Sequence, residues 1–333
     1  MPRLKVAARS AGLFPLLTPS FVLRASRTRL GPAWIDGALE HVAHEVGDPR
    51  PTVEHLIATR GNTCVFLTRG PDWCVHLPLS PAQERQSRRH FEALGRLRRD
   101  HPTCPAARPI WEGERDGRYL CVEERLDGLS APQLTGDLSA AANTYRGVAR
   151  ALGALVTRPA GPLSAETIEQ LVDRRLAATA PRAAHSETAA TLERIAATLR
   201  ERLASWRLPL VLHHSDLRAK HVQVREDGAL LGLMDFGSYE RADLPLFDLI
   251  NLVVHDAKQR RAGWTIGDAW RTALEGGWTD FERAAIDDYA ARLELPEDYP
   301  RAVLEALPLL VGAMAESNWD YSRPRWIRRS FGL

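Results

Sequence analysis

The sequence contains very little lysine. Only Lys5, Lys220 and Lys258 stand among its 44 Lys and Arg residues, so arginine supplies almost all of the positive charge. Codon usage explains most of this imbalance, but the imbalance has a chemical consequence. Any mechanism that depends on a lysine ammonium group has only these three candidates.

Cysteine is also scarce, and long apolar runs are absent. The four cysteines form no CxxC pair and have no metal-ligand spacing, which indicates buried thiols in a reduced protein. The sequence has no run of about 18 apolar residues, which is the length that would predict a membrane-spanning helix. Residues 11–23 are apolar and follow basic residues, but they contain two prolines. A signal peptide is therefore the weaker alternative to a cytoplasmic enzyme.

The charges nearly cancel. The 44 basic and 42 acidic residues give a formal net charge of +2, which argues against a globally basic nucleic-acid-binding protein. Residues 323–329 are locally basic around Trp326. This segment could rest weakly on anionic lipid, or it could be a solvated tail docked by Trp326.

The distribution of patterns along the 333 residues predicts an α+β protein with two lobes. A short connector rich in turn residues separates a small antiparallel β lobe with one helix, at residues 81–99, from a larger helical lobe. The larger lobe holds a central β-hairpin, and a cleft between the lobes would be the default ligand site. The predicted segments are an N-terminal extension at residues 1–51, the small lobe at 52–125, the hinge at 126–131 and the helical lobe at 132–333. Within the extension, residues 33–46 could form a helix.

The most informative stretch covers residues 212–224 and 232–237. Asp216 lies in a loop after an apolar strand, and His221 lies five residues later, at the start of the next strand. Asp235 ends the strand that pairs with it across the Asp227-Gly228 turn. Because a hairpin brings its two ends together, His221 and Asp235 are expected to face one volume with Asp216 at its edge. Two metal ligands beside a separate carboxylate suit phosphoryl transfer.

These residues give the chain a resemblance to a known family. His214-Ser215-Asp216, followed by His221 and by Asp235-Phe236-Gly237, resembles the aminoglycoside phosphotransferase and choline kinase-like family, which has the protein-kinase-like fold. The resemblance covers roughly residues 52–320 and is strongest in residues 212–249.

The resemblance implies roles for individual residues. Asp216 would be the catalytic base, and Asp235 would be the principal magnesium ligand with His221 beside it. His214 would support the catalytic loop, and Arg218 could stabilise charge on the transferring phosphoryl group. Asp248 resembles the aspartate that braces this loop, although taken alone it reads as a helix N-cap.

Two positions depart from the family pattern. His221 replaces the usual metal-binding asparagine, as in lipopolysaccharide-core kinases, and this change favours manganese beside magnesium. His76 stands where the family has a phosphate-gripping lysine, and His90 stands where the partner glutamate is expected. The predicted nucleotide-binding residues are His76, His90, Arg60 and Glu124.

The leading hypothesis is a phosphotransferase that uses ATP or GTP with Mg²⁺ or Mn²⁺. Its acceptor would be a hydroxyl of a small molecule, a saccharide or a glycan, and no nucleic-acid partner is expected. Because His76 and His90 replace the lysine and glutamate, a catalytically impaired kinase-like binding or regulatory module is the alternative. Nucleotidyl transfer on the same fold is a third hypothesis.

Overall fold

The computed structural model describes residues 32–58, 63–131, 137–183, 186–312 and 331. The chain divides into two compact units. The first holds the described residues up to Gly95 together with Ala107–Leu126. The second holds Arg96–Ala106 together with the described residues from Asp127 onward. No helix in these described ranges is long and apolar enough to span a bilayer.

The first unit is built on a five-stranded antiparallel sheet. The strand order is β1-β2-β3-β5-β4, so β3 and β5 are paired in the interior of the sheet. The predicted helix at residues 81–99 is present as α2. The sequence also predicts strands at residues 54–59, 63–68, 73–79, 110–114 and 119–124, and each is found within two residues of those ends. The elements are α1 (Pro32–Val46), β1 (Thr52–Ala58), β2 (Thr63–Arg69), β3 (Trp73–Pro78), α2 (Pro81–Asp100), β4 (Pro109–Arg115) and β5 (Arg118–Glu124).

The two faces of this sheet differ in polarity. Trp73, Val75 and Leu77 alternate along β3 and point to one face, where they join a hydrophobic core with α1. Leu39 and Val42 of α1 are buried in this core, because helical spacing places them on one side of the helix. The intervening residues of β3 and β5 give the opposite face its polar character.

The second unit is mainly helical and contains two three-stranded sheets. The strand orders are β10-β9-β6 and β11-β8-β7. Its elements are β6 (Leu129–Ser130), α3 (Leu138–Gly153), β7 (Val156–Pro162), α4 (Ala165–Ile168), a π-helical turn (Glu169–Asp173), α5 (Arg174–Thr179), α6 (Ser186–Ser205), β8 (Arg207–His213), β9 (Val222–Val224), β10 (Leu230–Leu233), β11 (Glu240–Asp243), α7 (Phe247–Arg260), α8 (Ile266–Leu274), α9 (Asp280–Arg292) and α10 (Tyr299–Gly312).

Several segments differ from the expectation. The helix predicted over residues 139–156 ends at Gly153, because Val156 pairs with Val211 of β8 and starts β7. Strands β7 and β11 and helices α7 and α8 are not foreseen. Helix α7 is buried nearly all round over its first nine residues, so it lacks the one-sided apolar pattern by which a surface helix is recognised.

The turn between β9 and β10 is fixed by α3. Gly228 has a φ of +80°, and a Cβ there would collide with the backbone of Ala140 in α3. Thr144 donates its hydroxyl to the Gly228 carbonyl, and Asn143 donates its amide to the Asp227 carbonyl. The hairpin therefore has one register, with residue 221 just before β9 and residue 235 shortly after β10.

Candidate functional site

The loop after β8 carries Asp216, and Asp248 of α7 holds its backbone. The two carboxylate oxygens of Asp248 accept hydrogen bonds from the backbone N–H groups of His214 at 2.7 Å and Ser215 at 2.8 Å. Ser215 has a φ of +68°, which an L-residue keeps only under such constraint. Leu246 is the N-cap of α7, so the alternative interpretation of Asp248 as a cap is wrong.

His214 connects the same loop to the segment after β10. Its Nε2 lies 2.7 Å from the carbonyl oxygen of Met234, and its ring packs against Phe236 with centroids 4.6 Å apart. Asn251, which was not predicted as a site residue, adds a further hydrogen bond by donating its amide to the carbonyl of Leu217. Both contacts fix where Asp216 lies.

The buried carboxylate of Asp216 is paired with Arg218. Nε and Nη2 of Arg218 lie 2.8 Å and 2.7 Å from the same oxygen, Oδ1. Burial raises the pKa of Asp216, although the Arg218 guanidinium opposes that rise. Arg218 was predicted to meet the transferring phosphoryl group, and in this structure it contacts Asp216.

The hairpin brings His221 and Asp235 together. Nε2 of His221 lies 3.4 Å from Oδ2 of Asp235, and the His221 ring is buried whereas half of the Asp235 side chain is exposed. Nδ1 of His221 lies 2.8 Å from the backbone carbonyl of Asp216, to which it must donate. Burial lowers the pKa of His221, and Asp235 only partly offsets this effect.

This arrangement fits a divalent cation. A neutral His221 that donates from Nδ1 has a lone pair on Nε2, and this atom has no hydrogen-bond partner among the described residues. The Asp235 carboxylate, 3.4 Å away, is also an acceptor when ionised. Two lone-pair atoms facing one another at 3.4 Å are stabilised by a cation that both can contact.

In the first unit, the polar face of the sheet holds a second cluster. Nε2 of His76 lies 3.0 Å from Oε1 of Glu123, and Nε2 of His90 lies 2.6 Å from Oε2. Cys74 completes the cluster, with its Sγ 3.3 Å from Nε2 of His76. The two histidines that replace the expected lysine and glutamate therefore share one buried carboxylate.

Sequence reasoning missed Glu123 and named its neighbour Glu124 instead. Glu124 is exposed, and its carboxylate lies 3.9 Å from Arg108. The missing signal was the pairing of β3 with β5, which places Cys74 opposite Glu123 and His76 opposite Cys121. Directly opposed residues of antiparallel strands share a face, so Glu123 lies on the face of His76.

Burial and charge act in opposite directions within this cluster. Burial alone would raise the pKa of Glu123, but the imidazoles of His90 and His76 outweigh it and hold the pKa well below its usual range. Burial alone would lower the pKa of His76, yet Cys74 and Glu123 raise it well above the usual value. The Glu123 carboxylate is therefore ionised at neutral pH.

Two predicted features lie outside the described residues. Arg60 is one of them, and the basic segment 323–329 is the other. Arg69, in β2, is exposed and pairs with Glu54 at 2.6 Å.

One known protein family matches this chain. A family model described as "Phosphotransferase enzyme family" matches residues 57–295. No curated protein sequence matches the chain.

Solved structures also match over most of the chain. A macrolide 2'-phosphotransferase type I is 12% identical, with a TM-score of 0.53, and the match covers 91% of this chain and 97% of that one. The GDP and kanamycin complex of APH(2'')-IIia is 15% identical, with a TM-score of 0.52 and coverage of 89% and 96%. At these identities the likeness establishes the fold, and the predicted α+β, protein-kinase-like class is confirmed.

Proposed function

Because the chain belongs to the phosphotransferase enzyme family, we propose that it transfers the γ-phosphoryl group of ATP or GTP to a hydroxyl group of a small molecule. The observation that carries this proposal is the arrangement around Asp216. Its buried carboxylate sits on a loop whose backbone Asp248 holds, beside the pair formed by His221 and Asp235. A base at a fixed position beside a cation site is what phosphoryl transfer requires.

In the proposed reaction, the acceptor hydroxyl gives its proton to the Asp216 carboxylate. The hydroxyl oxygen forms a bond to the γ-phosphorus as the bond from that phosphorus to the bridging oxygen breaks, and the nucleoside diphosphate leaves. Arg218 opposes the effect of burial on Asp216, so it helps to keep the base ionised before the acceptor binds. His214 positions the loop through its contact with Met234.

Asp235 and His221 would hold the divalent cation, Mg²⁺ or Mn²⁺. When bound, the cation neutralises charge on the phosphates of the nucleotide. An imidazole nitrogen in the set makes Mn²⁺ a better fit here than in a site built only from oxygen ligands. The exposed side of Asp235 leaves this carboxylate accessible to a nucleotide-bound ion.

The nucleotide contacts of the first unit are proposed by position. His76 stands where the family has its phosphate-contacting lysine, so we assign this position to the phosphates. His90 supports it indirectly, because both histidines contact the Glu123 carboxylate. Arg60 and Glu124 complete the proposed nucleotide-binding set. GTP is included beside ATP because APH(2'')-IIia forms a complex with GDP.

The acceptor is proposed to be a saccharide or glycan hydroxyl. Macrolides and kanamycin belong in the first acceptor panel, since they are named with the similar structures. Trp270 is buried and donates its indole N–H to the Leu304 carbonyl, so it is a core residue and does not offer a stacking face to a sugar. Contact of residues 323–329 with anionic lipid is a separate proposal.

The test is nucleotide-dependent phosphorylation of an acceptor panel by the full chain, with Mg²⁺ or Mn²⁺. Asp216→Asn should lower kcat by about a thousandfold, because the hydroxyl proton loses its acceptor. Asp287→Asn, an exposed aspartate on α9, is the matched control. If Asp216→Asn were as active as wild type, the proposal would be overturned. Mass spectrometry of the product distinguishes an added phosphate from an added nucleotide, which would indicate nucleotidyl transfer.

A second candidate is a non-catalytic module that binds a nucleotide. It is favoured by the histidines at positions 76 and 90, which both point to Glu123 in place of a lysine–glutamate pair. Nucleotide binding without turnover, equal in wild type and Asp216→Asn, would support this candidate. Such a result would also exclude phosphorylation of the acceptors in the panel.

A further inference from the structure

Three side chains of different chemistry converge on the polar face of the first unit's sheet. Cys74 and His76 are two residues apart on β3, and Glu123 lies opposite Cys74 on β5. One donor atom from each of them, a sulfur, a nitrogen and an oxygen, lies within 4.8 Å of both others. The three residues are carried by paired interior strands, so their spacing is set by the sheet itself.

The distances are close to those around a tetrahedral zinc ion. With a Zn–S bond of about 2.3 Å and Zn–N and Zn–O bonds of about 2.0 Å, the ligand atoms lie about 3.5 Å (S to N) and about 3.3 Å (N to O) apart. The corresponding separations are 3.3 Å from Cys74 Sγ to His76 Nε2 and 3.0 Å from that nitrogen to Glu123 Oε1. Each pair has to widen by about 0.3 Å or less to accommodate the ion.

Hydrogen bonds already link the three side chains, but Nε2 of His76 is shared between two of them. Nε2 of His76 carries at most one hydrogen, yet it faces both the sulfur of Cys74 and an oxygen of Glu123. If Nε2 donates to the carboxylate, the thiol finds no lone pair on this nitrogen and has only the Glu123 carboxylate, to which it also hydrogen-bonds, as its acceptor. If the thiol donates to Nε2, the carboxylate receives no hydrogen from it. A cation at the centre contacts all three donors at once.

The surroundings also have the form of a metal site. The second carboxylate oxygen of Glu123 is held by His90 at 2.6 Å, and such outer contacts fix the orientation of a ligating carboxylate. Cys74 and His76 are only partly buried, so an ion can enter from their side. Thiolate, imidazole and carboxylate together favour zinc over magnesium and calcium, which prefer oxygen ligands throughout.

We propose that Cys74, His76 and Glu123 bind one Zn²⁺ ion, with a fourth coordination position open to an oxygen ligand. His90 is a positioning residue that orients Glu123. Where the proposed function holds, position 76 lies at the phosphates, and the open position would take a phosphate oxygen there in place of the absent lysine. The zinc site itself stands on the three side chains and does not require catalysis.

The first experiment measures zinc bound to the full-length chain after addition of zinc alone and removal of the excess, with no nucleotide and no acceptor present. We expect about one equivalent per chain in wild type and a loss of tenfold or more in affinity in Cys74→Ser. Cys104→Ser, a partly buried cysteine outside this cluster, is the matched control and should bind like wild type. A wild-type chain that binds no zinc, or a Cys104→Ser chain that loses as much as Cys74→Ser, would overturn the site.

Cobalt replaces zinc in a second experiment, in which the wild-type spectrum by itself reports whether a sulfur ligand is present. A thiolate-to-cobalt charge-transfer band in wild type, absent in Cys74→Ser and unchanged in Cys104→Ser, identifies the sulfur ligand. Addition of GTP should shift the cobalt bands if the open position takes a phosphate oxygen, and unchanged bands would overturn that part. Because zinc binding is read without turnover, its failure is separate from a failure of phosphoryl transfer.

Discussion

Nε2 of His221 lies 3.4 Å from Oδ2 of Asp235, and the buried histidine nitrogen has no hydrogen-bond partner among the described residues. The two atoms belong to the residues that flank the open end of one β-hairpin, and contacts with α3 fix the turn at its other end. Their approach follows from the backbone, since His221 precedes β9 and Asp235 follows β10. This relationship predicts which metal the protein prefers.

Replacing His221 with asparagine should shift that preference. Histidine offers a nitrogen ligand, whereas asparagine offers the carbonyl oxygen that magnesium favours. We expect the ratio of Mg²⁺-supported to Mn²⁺-supported activity to rise by about tenfold in His221→Asn. The measurement is kcat/KM for the nucleotide across a titration of each metal, with His44→Asn as an exposed control. An unchanged ratio would show that His221 does not contact the metal.

Replacing Asp248 should loosen the loop that carries Asp216. Asp248→Ala removes two charge-assisted hydrogen bonds and leaves two buried N–H groups without acceptors. We expect a loss of about 3 kcal/mol in the free energy of unfolding. We also expect a fall in kcat of about a hundredfold with a smaller change in KM, since the base is displaced rather than removed.

Denaturant unfolding and steady-state kinetics check this prediction, and Asp287→Ala provides the control. A variant that loses stability but keeps the wild-type kcat would show that Asp248 has no part in positioning Asp216. Asp248→Asn should recover part of the stability, because its amide oxygen can still accept one of the two N–H groups.

The site in the second unit could be predicted from sequence because its parts lie within one short stretch. A loop, a hairpin turn and two strands determine where His221 and Asp235 meet, so spacing alone carried that expectation. The cluster in the first unit could not be predicted in this way. Glu123 lies 47 residues from His76, and only the register between β3 and β5 brings them together.

The fold shows the same division. Strands and helices with a one-sided pattern were predicted to within a few residues, as in β2, β3 and α2. Helix α7 was missed because it is buried on nearly every side, and β7 was missed because its residues are mostly exposed. Contacts with residues distant in sequence determine the structure of both segments, and the local sequence pattern does not reveal such contacts.

The packing of α1 on the first sheet predicts that this helix contributes to stability. Leu39 is 2% exposed within the core that α1 forms with β2, β3 and β5. Leu39→Ala should lower the free energy of unfolding by about 2–5 kcal/mol, because it removes buried methyl groups and leaves a cavity. Glu40→Ala, its exposed neighbour, should change it by less than about 0.5 kcal/mol. Equal effects of the two substitutions in denaturant unfolding would contradict the packing.

The ion pair of Arg175 and Asp243 predicts a loss of stability in acid. Both side chains are buried, and Nη2 of Arg175 donates to the Asp243 carboxylate, which ends β11. Burial alone would raise the pKa of Asp243, but Arg175 and His213 outweigh it and hold the pKa below its usual range. A carboxyl group with a lowered pKa in the folded state stabilises the protein fully above its unfolded pKa. That contribution is lost as the pH falls through the folded value.

Thermal unfolding followed from neutral pH down to about pH 3 should therefore show a falling Tm in wild type and a flatter profile in Asp243→Asn. Arg175→Met should lower the free energy of unfolding at neutral pH by about 3–5 kcal/mol, because it leaves the Asp243 carboxylate buried without its cation. Asp173→Asn, which breaks the exposed pair with Arg200, should cost less than about 1 kcal/mol and keep the wild-type pH profile. If Asp243→Asn lost Tm in acid as steeply as wild type, then other carboxyl groups would account for the acid sensitivity and the buried pair would not.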